Sequence, residues 1–151
     1  MTSLLFNHDN FVALEFFQRM NWHPVTYDRA IGVINNKQEL VGTIFFHNWN
    51  GSNVELSYYA RHTLSVGVVR ELARFTVETF NPARLTVTTS KKNKRLISSL
   101  NKFGFRLEGS QRCWFGHRDC NRNTGVRMVM FRPRINQLAK IEVLTTGKSA
   151  C

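Results

Sequence analysis

The chain has 151 residues, 42% of them hydrophobic, with 21 Lys and Arg against 10 Asp and Glu for a net charge of +11. That length supports one domain whose core needs no disulfide or metal to hold it, and the hydrophobic share argues against wholesale disorder. No apolar run reaches the roughly 18–20 residues of a membrane-spanning helix, and Met1-Thr2-Ser3-Leu4-Leu5-Phe6 lacks the basic lead of a secretory leader, so a cytoplasmic protein is expected.

The first periodic segment is Asn10 to Met20, where Phe11, Leu14 and Phe17, with Val12, Phe16 and Met20, recur at helical spacing behind Asp9 or Asn10 as N-cap. Pro24 bars helix at the residue before it, so the helix ends near Trp22-His23. Three strands follow: Ala30 to Ile34, Leu40 to Phe46 and Val54 to Ala60. Polar turns separate them, the second built on Asn50-Gly51, and two hairpins in series make an antiparallel meander.

From Val66 to Phe80 the period changes. Val66, Val69, Ala73 and Val77, with Leu72 and Phe75, cover one helical face, and Asn81-Pro82 stops the helix. Arg84 to Thr89 alternates as a strand, so strand, helix and strand form a crossover. A second crossover helix runs from about Lys92 to Phe103 on Leu96, Ile97, Leu100 and Phe103, with Gly104 placed as its left-handed C′ residue. Strands over Phe105 to Phe115 and Val126 to Phe131 close the domain around a polar loop. The tail after Pro133 is short and weakly patterned.

Charge is concentrated along the chain. Residues 1–83 carry six basic and seven acidic side chains, residues 84–134 carry thirteen and two, and the last seventeen residues add one net positive charge. Such asymmetry points to an anionic partner, with a merely solubilising surface as the plain alternative. Cys113, Cys120 and Cys151 are an odd count and read as reduced thiols. Cys113, His117 and Cys120 fall short of the four ligands of a structural zinc site, and no metal is expected.

The order helix, three antiparallel strands, helix, strand, helix, two strands is joined by a local match. Asn93, Gly104, Phe105, Glu108 and Gly109 stand at spacings that resemble the GCN5-related N-acetyltransferase superfamily, whose last crossover helix opens on Asn and ends in Gly-Phe, sometimes followed by Glu-Gly. The resemblance in element order covers about residues 10–132 and extends to small acetyltransferase-like proteins of phages, which would work in the host cytoplasm. It implies an α/β (α+β) fold: a single domain, its mixed, mostly antiparallel sheet flanked by about three helices, with 133–151 as a tail.

The resemblance also implies acetyl-coenzyme A as cofactor, held between the strands at 54–60 and 85–89, with its pyrophosphate on the amides that open the long helix. Unpaired N–H groups and the helix dipole make such a helix start an anion site. The family pattern there is Gln/Arg-x-x-Gly-x-Gly/Ala. This chain offers Arg61, His62, Ser65, Val66 and Gly67: only Gly67 matches outright, and Ser65 stands for the first glycine. Tyr58, Tyr59 and Ala60 would meet the pantetheine arm, and Asn93 and Lys94 the nucleotide end. Lys91, Lys92, Lys94 and Arg95 crowd a helix start, where cations oppose the dipole at a cost of about 0.3–1 kcal/mol each; a phosphate would relieve that cost.

Acetyl transfer needs a base for the amine, donors for the developing oxyanion and a proton for the leaving thiolate. Glu55 on the central strand is the candidate base and Tyr59 its catalytic companion; strand alternation puts Glu55, Ser57 and Tyr59 on one side, opposite Val54, Leu56 and Tyr58. The amides of Tyr59 or Ala60 would polarise the thioester carbonyl. Many family members carry Tyr seven residues after the Asn as general acid; Leu100 occupies that place, leaving Tyr58, Tyr59, Ser99 and Cys113 as candidate donors. Two functions follow: an acetyl-coenzyme A-dependent N-acetyltransferase, or an inactive protein of the same fold whose basic half contacts nucleic acid or an acidic protein. Partners are the cofactor and an acidic acceptor, with no membrane.

Overall fold

The computed structural model describes residues 2–20, 26–60 and 64–146. Its elements in chain order are β1 (Ser3–Leu5), α1 (Asp9–Met20), β2 (Arg29–Ile34), β3 (Leu40–His47), β4 (Asn53–Ala60), α2 (Val66–Thr79), β5 (Arg84–Ser90), α3 (Lys94–Phe103), β6 (Arg106–Gln111), β7 (Gly125–Phe131) and α4 (Arg132–Thr146). Among these residues the strands form one seven-stranded sheet in the order β1-β2-β3-β4-β5-β7-β6. The β4–β5 pair is parallel and the others are antiparallel. The expected α/β class and mixed, mostly antiparallel sheet are present.

Two expectations change. The weakly patterned region after Pro133 is helical: α4 spans Arg132–Thr146 and buries Ile135, Leu138 and Ala139 beside α2. Pro133 stands in its first turn, where the missing N–H would have no intrahelical partner in any case. The described helices thus number four where about three were expected. At the other end, Ser3–Leu5 pairs with β2 as an edge strand, Leu4 opposite Val33.

The sheet alternation separates two apolar layers. Ile31, Val33, Ile44, Phe46, Val54, Leu85, Val87, Met128 and Met130 meet α2 and α4 on one face. On the other, Ala30 and Phe45 meet Val12, Ala13 and Phe16 of α1. The wide apolar face expected of α1 is only half used: Phe11 and Leu14 are 51% and 57% exposed. In α2 the buried row is Val68, Leu72, Ala73 and Thr76, while Val66 lies exposed at the start of the helix. Asp9 opens α1, but its carboxylate accepts from Arg29 Nε and the Ala30 amide at 2.9 and 2.7 Å, which ties the helix to β2.

The left-handed residue expected at the end of α3 is found: Gly104 has φ +113° and closes the helix through its N–H to the Asn101 and Leu100 carbonyls. The following strand is shorter than expected, ending at Gln111. Past it, Cys113 and Cys120 are disulfide-bonded across the loop, which corrects the reading of both as reduced thiols. Cys113, with no free thiol, also drops out as a proton donor. Among the described residues no helix is long and apolar enough to cross a membrane.

Candidate functional site

Parallel pairing between β4 and β5 covers only Asn53 with Arg84, Val54 with Leu85 and Glu55 with Thr86. Beyond that the strands diverge, because each is held on its outer side. β3 keeps β4 to Ala60, opposite Gly42, and β7 keeps β5 to Ser90, opposite Gly125. A cavity of about 530 Å³ occupies the resulting wedge. Its floor is apolar, with Leu56, Leu85, Val87 and Met130, and its sides are α2 at Val69 and Leu72 and α3 at Leu96 and Leu100.

Both crossover helices begin where the wedge is widest, since each follows the carboxyl end of a parallel strand. The α2 start is capped by Ser65, whose Oγ accepts from the Val68 amide at 3.2 Å. No acidic residue stands in the first turn. The Val66 and Gly67 amides have no hydrogen-bond partner among the described residues, and a methyl group at Gly67 would meet nothing nearer than Ser65 Oγ at 4.0 Å. Asn93 caps α3 by accepting from the Leu96 amide at 3.2 Å, and Asn93 and Arg95 both line the cavity. Lys91, Lys92, Lys94 and Arg95 are exposed, with no carboxylate among the described residues in ion-pair range.

The residues singled out from sequence therefore divide. Tyr58, Tyr59 and Asn93 line the wedge. Ser65, Val66 and Gly67 stand at the α2 start and Lys94 opens α3, beside the cavity rather than in its wall. Ala60 ends β4. Arg61 and His62 fall outside the described residues. Burial raises the Tyr58 phenol above its ordinary value, so it stays protonated and able to donate. The Tyr59 ring packs 4.7 Å from that of Phe16, and Ser99 also lines the cavity.

Glu55 lies on the expected side of β4, but it does not line the cavity and it is not free. Arg127 Nη2 is 2.8 Å from Oε1, Asn48 Nδ2 donates to Oε2 at 2.8 Å, and His47 Nδ1 is 3.3 Å from Oε2. Burial alone would raise its pKa. The hydrogen bonds of Asn48 and Arg127, with the Arg127 and His47 charges, outweigh burial and hold the carboxyl below its ordinary value. A carboxylate so stabilised is a weak base by itself.

Sequence reasoning missed the residues that surround it. Opposite Glu55 in the register stands His47, whose Nε2 is 2.8 Å from Ser57 Oγ, and Ser57 does line the cavity. Glu108 is the extra residue of a bulge between Leu107 and Gly109, which aims it at Arg84 and Arg127. Period-two alternation could place Ser57 beside Glu55, but only the strand register brings in His47 and Arg127.

No protein-family model matches this sequence, and no curated protein matches it by sequence. Solved structures do. The dodecameric spermidine N-acetyltransferase SpeG of Vibrio cholerae superposes with a TM-score of 0.71 over 88% of this chain and 95% of that one, at 11% identity. A protein of Acinetobacter baylyi ADP1 described as a candidate acetyltransferase gives 0.69 over 87% and 92%, at 17% identity. At these identities the likeness shows a shared fold, a mixed α/β architecture over most of both chains.

Proposed function

We propose that the chain is an acetyl-coenzyme A-dependent N-acetyltransferase that acts on an amine. The observation that carries this reading is the wedge between β4 and β5. It is an apolar slot whose wide end two helix N-termini meet, with four exposed cations that have no ion-pair partner among the described residues, on the fold shared with SpeG, a spermidine N-acetyltransferase. A thioester arm with a phosphorylated nucleotide has that distribution of character.

The residues fit the cofactor. The Val66 and Gly67 amides would meet an anion at the favourable end of the α2 dipole, and Gly67 leaves room for a phosphate to approach the backbone. Ser65 spends its hydroxyl on the cap, so it replaces a glycine without filling the space above the amides. Lys91, Lys92, Lys94 and Arg95 would offset the remaining phosphate charge, and Asn93 holds α3 in place for them. Bound there, acetyl-coenzyme A supplies an activated acetyl thioester. Tyr58, kept neutral, is the candidate donor to the leaving sulfur, in place of the tyrosine that Leu100 does not provide.

The rest of the charge suits an acidic acceptor. Arg106, Arg112 and Arg118 are exposed on β6 and the loop after it. Under the second reading, an inactive binding protein, these same side chains would hold nucleic acid or an acidic protein; the exposed α3 cations favour it as much as they favour a cofactor. The two readings separate by mass spectrometry. Incubation with [acetyl-²H₃]-coenzyme A and a panel of peptide and small amines yields labelled amide and free thiol if the chain is a transferase, and neither product if it only binds.

A further inference from the structure

The β3–β4 pair places three groups in a line. Ser57 Oγ is 2.8 Å from His47 Nε2, and the other ring nitrogen, Nδ1, is 3.3 Å from Glu55 Oε2. The register explains the line, since His47 stands directly opposite Glu55, and Ser57 is the next residue on the same side of β4. Only its serine end reaches the cavity. Ser57 also lies two residues past the last parallel β4–β5 pair, where the wedge first separates the strands and lets one face of the sheet meet the other.

From this geometry we infer that Ser57, His47 and Glu55 form a proton relay, in which Ser57 takes the proton from the acceptor amine and passes its own to His47. The inference rests on the acetyltransferase reading and assigns its base to the relay rather than to Glu55 acting directly. As the amine lone pair forms the N–C bond, the nitrogen proton moves to Ser57 Oγ and the Ser57 hydroxyl proton moves to His47 Nε2. The C–S electron pair leaves with sulfur, which takes the Tyr58 phenol proton, and the proton held on His47 goes by way of solvent to the Tyr58 phenolate, so the one proton lost by the amine is matched by the one gained by the thiol. Ser57 is the catalytic member, while Glu55 positions the ring and stabilises it when charged.

The charges around the ring support this direction of transfer. Burial lowers the His47 pKa, while Glu55 on β4 and Asp28 before β2 pull it back up without restoring the ordinary value. The imidazole is therefore neutral near pH 7 and able to accept. Asp28 is itself engaged with the Trp49 amide at 2.9 Å, and Glu55 with Arg127 and Asn48. Neither carboxylate is the easier proton acceptor. Asn48 Nδ2 also comes within 3.3 Å of His47 Nδ1, but its shorter bond, 2.8 Å, goes to Glu55 Oε2, on which both donors converge.

The first test needs no activity. Long-range ¹H–¹⁵N correlation spectra of the free protein at pH 7.5 should show His47 as the neutral tautomer protonated on Nδ1, with an Nε2 resonance that shifts in Ser57→Ala. An Nε2-protonated or fully charged ring, or no response to Ser57→Ala, overturns the relay. The second test uses acetyl-coenzyme A and benzylamine as probes. Ser57→Ala and His47→Gln should each lower kcat by about 10²-fold, leave the KM for acetyl-coenzyme A unchanged and abolish the acid limb of the pH profile. The double variant should be no worse than either single one. Wild-type kcat and pH profile in both single variants, with unchanged melting temperatures, overturn it. Failure of the wild-type protein to bind acetyl-coenzyme A defeats the acetyltransferase reading instead, and is detected separately by calorimetry.

Discussion

Arg127 on β7 reaches across β5 to Glu55 on β4, with its Nη2 2.8 Å from the carboxylate and 3.4 Å from Thr86 Oγ1 on the way. Glu55 and Thr86 are the last residues that pair β4 with β5. The ion pair therefore ties three strands together at the apex of the wedge, where backbone bonding between two of them stops. It also fixes the protonation of Glu55 and, through it, the orientation of His47.

Replacing Arg127 with Ala should cost about 1–2 kcal/mol of folding stability, because a part-buried carboxylate loses its cation and keeps its desolvation. The two side chains are each 23% exposed, which places the pair between a surface bridge and a buried one. Urea midpoints of Arg127→Ala and of the double variant with Glu55→Gln check this. The double variant should recover part of the loss, since it removes the orphaned charge.

Acid should destabilise the protein through two carboxylates. Burial raises Asp9, but its hydrogen bonds from Arg29 and the Ala30 amide more than reverse that, and the net shift is downward, as for Glu55. A folded pKa below the unfolded one means that the unfolded chain binds protons first. The stabilisation is complete above the ordinary values of 3.8 and 4.5 and is lost as pH falls through the lower folded values. Chemical denaturation between pH 6 and pH 2 should show stability falling from about pH 5, with a smaller fall in Asp9→Asn and in Glu55→Gln than in the wild type.

Gly104→Ala should destabilise α3 by about 1–2 kcal/mol, since φ is +113° and an added Cβ would lie 2.5 Å from Arg134 Nε. That same Nε donates to the Phe103 carbonyl at 2.9 Å and so links α4 to the end of α3. Thermal melts of Gly104→Ala with and without Arg134→Ala separate the two causes. The second substitution should relieve the steric part and leave the backbone part.

Asn93→Ala removes the α3 cap and should cost about 1 kcal/mol in stability. Charge reversal at Lys91 and Lys92 should instead leave stability within about 0.5 kcal/mol, because both are exposed and make no ion pair among the described residues. Under the proposed function both changes weaken acetyl-coenzyme A binding, and the Lys variant should also flatten its salt dependence. Melting curves with and without the ligand, at two ionic strengths, distinguish loss of the cap from loss of charge.

The sequence carried those parts of this molecule that are local. The β3 and β4 alternation, the α2 and α3 stripes and the Gly104 terminus each follow from residues a few positions apart. Strand β1 did not, because three residues gain meaning only from pairing with Arg29–Ile34. Helix α4 was missed because the stretch after Pro133 reads as weakly patterned, although Ile135, Leu138 and Ala139 stand at helical spacing and Pro133 is tolerated in a first turn. At the site, alternation put Glu55 and Ser57 on one side of β4. Their partners come from β3 and, seventy-two residues downstream, β7, and a bulge at Glu108 sets the last of the network. The loop disulfide, Cys113 to Cys120, was equally out of reach, since two cysteines seven residues apart are bonded only if the backbone folds back between them.

Calorimetric titration of the intact chain with acetyl-coenzyme A, repeated with desulfo-coenzyme A as competitor, tests the central claim most directly. The account predicts saturable one-to-one binding that the competitor displaces, weakened by salt and by charge reversal at Lys91 and Lys92, with a melting temperature that climbs with ligand concentration. Absence of heat and of any thermal shift at millimolar ligand would contradict it.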